Sequence, residues 1–162
     1  MGLVSDIRFQ INPIDSAEHV FHRNAWGFER RGKDEVVLEV EGRWGNLLFF
    51  FAWEEHLRCL HISCMMDIET RISDYTKIFE LLALVNENLW LGHFSYWSEH
   101  RMPLFKHSVI LELDETDLEG KLEQIIRIAA DECDRIYPIF NAVLTQGVSP
   151  RQALSASRGV LQ

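Results

Sequence analysis

Seven histidines and three cysteines are the side chains in this sequence best suited to chemistry. His61, His93 and His107 fall on segments that read as strands, where converging imidazoles could bind a metal or a small molecule, or act as bases. His19 and His22 are three apart on a helical stretch, but a zinc site needs at least a third ligand and none lies nearby. A satisfied, partly buried imidazole is the plainer reading of each. Cys59, Cys64 and Cys133 cannot all pair. The first two are five apart on one strand and so point to opposite faces, which suits buried free thiols in a reducing compartment. The acidic run Asp114–Glu119 lacks the spacing of a calcium loop and reads as the negative first turn of a helix. No nucleophile elbow, phosphate loop, dinucleotide-binding glycine pattern or paired Cys-x-x-Cys occurs. No catalytic residue, metal or cofactor is therefore assigned.

The elements that would position these groups can be read from periodicity. Asn12-Pro13 caps a helix with the stripe Ile14, Ala17, Phe21 and Ala25, ended by Gly27. Strands then follow at Phe28–Arg31, Glu35–Glu41, Leu47–Trp53 and Leu57–Ile68. Ser73 or Asp74 opens a helix that carries Ile78, Leu81, Leu82, Val85 and Leu89 and is closed by Gly92. A hairpin over about 93–98 and 103–112 comes next. Pairing Ser98 with Pro103 would set Phe94, Tyr96, Phe105 and Val109 on one face and Trp97 with Leu104 on the other. Thr116-Asp117-Leu118-Glu119 is a capping box for a helix with the stripe Leu118, Leu122, Ile125, Ala129, Cys133, Ile136 and Phe140. Pro138 should kink that helix or end it a turn earlier. Ser149-Pro150 caps a short last helix.

These elements make an α+β fold, an antiparallel sheet with helices packed on it, in one domain over residues 1–162. Residues 1–11 read as a loose arm and 156–162 as a frayed tail. The strand Leu47–Trp53 is apolar on both faces, so both faces of the sheet need cover. A second subunit or a partner peptide could supply the second cover, but a helix of the same chain is the expectation. The five tryptophans read mostly as core, with one or two as interaction anchors on the mixed sheet face.

With 25 acidic and 16 basic residues the net charge is -9, which disfavours nucleic acid and anionic membranes. Neither a signal peptide nor a run of about 20 apolar residues is visible, so a cytoplasmic protein is expected.

Several strings resemble the YbjN-domain proteins of bacteria. They are Leu81–Phe94 with Trp97 and Pro103–His107, Asn12-Pro13, Gly42-Arg43-Trp44, Ala52-Trp53-Glu54, Glu132–Phe140 and Ser149-Pro150. The family pattern would place a tryptophan near Thr145, where this chain has none. The resemblance covers about residues 12–155. It implies a fold like that of type III secretion chaperones, whose relatives often form dimers and bind extended partner segments, and a role in sensory transduction or stress regulation. Together these readings give a non-enzymatic protein-interaction module, a chaperone-like or regulatory adaptor, homodimeric and with an unidentified protein partner. Trp53, Trp97, Phe50 and Met65 are the candidate partner-binding residues. The alternative is a small-molecule or metal site at His61, His93 and His107.

Overall fold

The computed structural model describes residues 12–158. The arm expected over residues 1–11 and the end of the tail, 159–162, lie outside the described residues. Ala156–Arg158 form the last turn of a helix.

Helix α1 spans Pro13–Arg23. Asn12 caps it by accepting from the Ile14 amide at 2.9 Å, and proline at the first position has no orphan N–H to satisfy. Its buried stripe is Ile14, Ala17, Val20 and Phe21. Ala25, expected in that stripe, lies past the helix end at φ 55°. Six antiparallel strands follow: β1 Gly27–Arg30, β2 Glu35–Glu41, β3 Asn46–Glu54, β4 Cys59–Met65, β5 His93–Trp97 and β6 Met102–Ile110. Their order in the sheet is β1-β2-β3-β4-β6-β5. Between β4 and β5 lie a short 3₁₀ turn, Ile72–Asp74, and helix α2, Tyr75–Asn86.

Helix α2 stops six residues before Gly92, earlier than its apolar stripe suggested. The Asn86 side chain then clips the next strand by accepting from the Phe94 amide at 2.7 Å and donating to its carbonyl at 2.9 Å. Gly92 has φ 66°, and a Cβ there would stand 2.3 Å from the Phe105 ring and 2.6 Å from the Lys106 carbonyl oxygen. Only glycine makes this approach. The β5–β6 hairpin pairs Trp97 with Met102 and Phe94 with Phe105, two residues away from the register expected from Ser98 and Pro103. A slip of two leaves every side chain on its expected face.

Helix α3 runs from Leu118 to Thr145, 28 residues, capped by Asp117, whose carboxylate accepts from the Gly120 amide. It continues past Pro138, so the proline does not end it. The reason is local. Proline cannot donate to the Asp134 carbonyl one turn back, and the Trp44 indole N–H donates to that carbonyl instead, at 2.9 Å. Trp44 also stacks on Tyr137, with centroids 5.9 Å apart and planes 7° from parallel. The Arg43 amide adds a bond to the Asp134 carboxylate at 2.8 Å. The turn between β2 and β3 is thus docked on the helix where the proline would weaken it. Helix α4, Pro150–Arg158, opens with a reciprocal cap between Ser149 and Gln152.

The helices form one layer on one face of the sheet. Phe21 of α1 packs on Phe28 of β1 and Phe51 of β3, each at 5.4 Å. Tyr75 and Phe79 of α2 meet Tyr96 of β5 at 5.3 and 5.6 Å. Helix α3 lies against β4, and α4 against α2 and α3. Leu38, Phe49, Leu60, Ile62, Cys64 and Phe105 are fully buried between the layers. Burying a side chain of this kind contributes about 1.5–3 kcal/mol.

Candidate protein-interaction face

Among the described residues no helix packs on the other face of the sheet. This overturns the expectation that a helix of the chain covers both faces. The strand register determines what the open face presents. One cross-strand row reads Glu29, Val37, Phe50, Ser63, Lys106, His93, in order from β1 to β5. The row on one side of it reads Glu39, Leu48, Met65, Leu104, Ser95. On its other side lie Glu35, Ala52, His61 and Ser108. Val37, Leu48, Phe50, Ala52 and Met65 are half-buried. Ser63 and Leu104, flanked by neighbours on the sheet, are 8% and 5% exposed.

Phe50, Met65 and Trp97 therefore share the open face. Trp97 stands at its rim, edge-on to His100 at 4.0 Å, and the Arg31 guanidinium lies over the Phe50 ring at 5.9 Å. Trp53 points the other way. It pairs with Leu60 and packs at the edge of the core beneath the helices. Leu48, Val37, Leu104 and Lys106 are among the open-face residues that the candidate set omitted. Their signal was present in the two-residue alternation, but only the pairing register shows that they adjoin Phe50 and Met65.

The three strand histidines do not converge. His61 and His93 stand on the open face, whereas His107 pairs with Ile62 and takes the helix side. The His61 Nδ1 is 2.8 Å from the Ser108 hydroxyl. Partial burial holds its pKa below the usual imidazole value, helped by the positive charges of Lys106, His93 and His107. His107 is lowered too, chiefly by burial. His19 pairs instead with Glu119 of α3 at 3.0 Å, in a surface network that also holds Arg23, Glu123 and Arg127. Among the described residues no group of three or more His, Cys, Asp or Glu side chains is placed to hold a metal ion.

Cys64 and Cys133 meet under the helix layer, and burial pushes the Cys64 thiol well up, with Cys133 as its hydrogen-bonding neighbour. A thiol so protonated is a poor nucleophile. None of the five tryptophans is fully buried, contrary to their reading as core. Trp44 is 51% exposed and Trp90, in the α2–β5 loop, is wholly exposed. A concavity of about 680 Å³ lies between α3, α4 and the Trp44 turn, lined by Arg43, Arg135, Pro138, Ala142 and Val148. Among the described residues no helix is long and apolar enough to cross a membrane.

The profile of the YbjN family, described as a putative bacterial sensory transduction regulator, matches residues 13–142. The chain belongs to the YbjN family. The match takes in the whole sheet, α1, α2 and most of α3, and so includes the open face and the docked Trp44 turn. No curated protein and no solved structure matches the chain. The family description is that of a regulator, not of an enzyme.

Proposed function

We propose that this member of a regulator family acts as a single-domain, non-enzymatic protein-interaction module in the cytoplasm, an adaptor with a chaperone-like mode of binding. The observation that carries this reading is the one-sided helix layer. The strip Val37, Leu48, Phe50, Ala52 and Met65 lies on a face that no described helix covers. Large apolar patches of this kind mark sites of association. Phe50 and Trp97 are the anchors, since aromatic side chains carry a large share of interface energy. Backbone pairing at the outer edge of β5 would add affinity for an extended segment.

The test is site-specific photo-crosslinking in the native cell. A benzophenone side chain replacing Phe50 on the open face should give protein adducts. The same group replacing Phe79, half-exposed on the helix side, should give far fewer. Adducts from Phe79 alone, or equal yields from both, would overturn the reading.

A second reading is favoured by the concavity beside Trp44. Its volume of about 680 Å³ lies within the usual range of small-molecule pockets, roughly 300–1,000 Å³, and a sensory regulator needs a place to receive a signal. A metabolite panel that changes Trp44 fluorescence, with a Trp44→Phe control, would support it. Silence across the panel would remove it. Neither result bears on the histidines, which lie elsewhere.

A further inference from the structure

The open face divides by charge along the midline of the sheet, between β3 and β4. On the β1–β3 side stand Glu29, Glu35, Glu39, Glu41 and Glu54; on the β4–β5 side the ionisable groups are Lys106, His61, His93 and the Cys59 thiol. Between these two flanks lies the apolar strip that contains Phe50, Leu48 and Met65. Arg31 is a cation on the acidic side, rooted past the end of β1 with its guanidinium over the Phe50 ring of β3, close to the midline. A face with an oily centre, carboxylates on one half and the Lys106 cation on the other is complementary to itself.

Resting on the open-face reading above, we propose that the occupant of this face is a second copy of the chain, packed face to face about a two-fold axis that runs parallel to the strands between β3 and β4. The direction of the axis follows from the charges. A two-fold axis between facing sheets must lie in the interface plane. If it ran across the strands, β2 would lie on β2 and carboxylates would meet carboxylates. Running along the strands, it sets the acidic half of each copy on the Lys106–His93 half of the other. In the central row Glu29 then falls opposite His93 of the second copy, and Phe50 opposite Ser63. Lys106 falls on Val37, between Glu35 and Glu39. In the next row Leu48 meets Met65. Strand directions in the two sheets are aligned, one of the two ways in which sheets stack. The area is of the right order. Six strands spaced about 4.8 Å apart, running from four residues in β1 to nine in β3 and β6 and averaging about 23 Å, give a plane of roughly 550 Å² before side-chain relief, against the ~800 Å² per partner of a standard interface.

The experiment is sedimentation equilibrium on the full chain, on Lys106→Glu, on Glu35→Lys/Glu39→Lys, and on a one-to-one mixture of the two variants. All substituted positions are at least partly solvated, and circular dichroism checks that each variant folds. The wild type should dimerise. Each variant alone should associate at least roughly tenfold more weakly, because reversed charges meet like charges across both halves. The mixture should recover wild-type affinity to within about threefold, since a heterodimer restores both halves. A wild type that stays monomeric to about 100 µM, a dimer indifferent to both variants, or a mixture that fails to recover would each overturn the proposal. The benzophenone at Phe50 separates this failure from that of the open-face reading. Adducts to a different protein alongside a monomeric chain would sink the second copy and leave the face. No adducts at all would sink both.

Discussion

The two faces of this sheet share the same strands yet have opposite fates. On β3, Phe49 and Phe51 are buried to 1% exposure or less beneath the helices, while Phe50 between them has only its sheet neighbours and an arginine for company. The difference lies in where the helical stripes go. The stripes of α1, α2 and α3 are all spent on one side, and α4 packs on α2 and α3 rather than crossing the sheet. Helix α3 alone, with 28 residues, is about 42 Å long and exceeds the roughly 24 Å width of six strands. One layer is complete; no described helix supplies the other. The comparison teaches that apolar character on a strand shows that cover is needed and does not say who supplies it.

The sharpest way to break the comparison is to truncate adjacent phenylalanines. Phe49→Ala should destabilise the protein by about 3–5 kcal/mol, because the cavity opens inside a packed core. A urea melt giving less than about 1 kcal/mol would mean that the covered face is not the core. A middle-sized effect is expected at the docked turn. Trp44→Phe should cost about 0.5–1.5 kcal/mol, the net worth of one hydrogen bond at a solvent-exposed carbonyl. Pro138→Ala supplies that carbonyl with a backbone donor, so the loss on Trp44→Phe should shrink in a Pro138→Ala background. A double-mutant cycle with no coupling would refute the substitution of indole for amide.

Phe50→Ala should lower the stability of the isolated chain by less than about 1 kcal/mol, since no layer packs on it, while weakening association. A loss as large as that of Phe49→Ala would show that the open face is covered after all. The smallest effect belongs to the surface network joining α1 and α3. Arg127 and Arg23 hold the Glu123 carboxyl down at about 2. A depressed carboxyl stabilises above its unfolded value of about 4.5, and that contribution fades as the pH falls toward 2. An acid titration of thermal stability should show a shallow decline in this window, removed by Glu123→Gln. His61 works in the same direction at higher pH. Its lowered pKa favours the neutral ring, so stability is present above about 6.5 and falls as the pH drops through the folded value.

What the sequence determined by itself was whatever a local period can carry. The two-residue alternation in β2 and β4 placed Val36, Leu38, Leu60, Ile62 and Cys64 on one face, and even a hairpin misjudged by two residues kept its faces. The capping residues Asn12 and Ser149 lie at helix starts, since a cap is a bond between near neighbours. Helix α3 is capped by Asp117 and not by Thr116 of the expected capping box, whose Glu119 pairs with His19 and Arg23 instead. The family was legible in its strings, and the fold brings two of them together where the Trp44 turn docks on the Glu132–Phe140 stretch of α3. Only the tertiary structure decided the rest. It showed that α3 runs through Pro138 with the Trp44 indole on the Asp134 carbonyl, that His107 turns away from His61 and His93, that Trp53 faces the helices and Phe50 does not, and that no described helix covers one side of the sheet. Each of these depends on which distant segment arrives at a surface. Alternation gives a strand two faces, but long-range packing chooses between them.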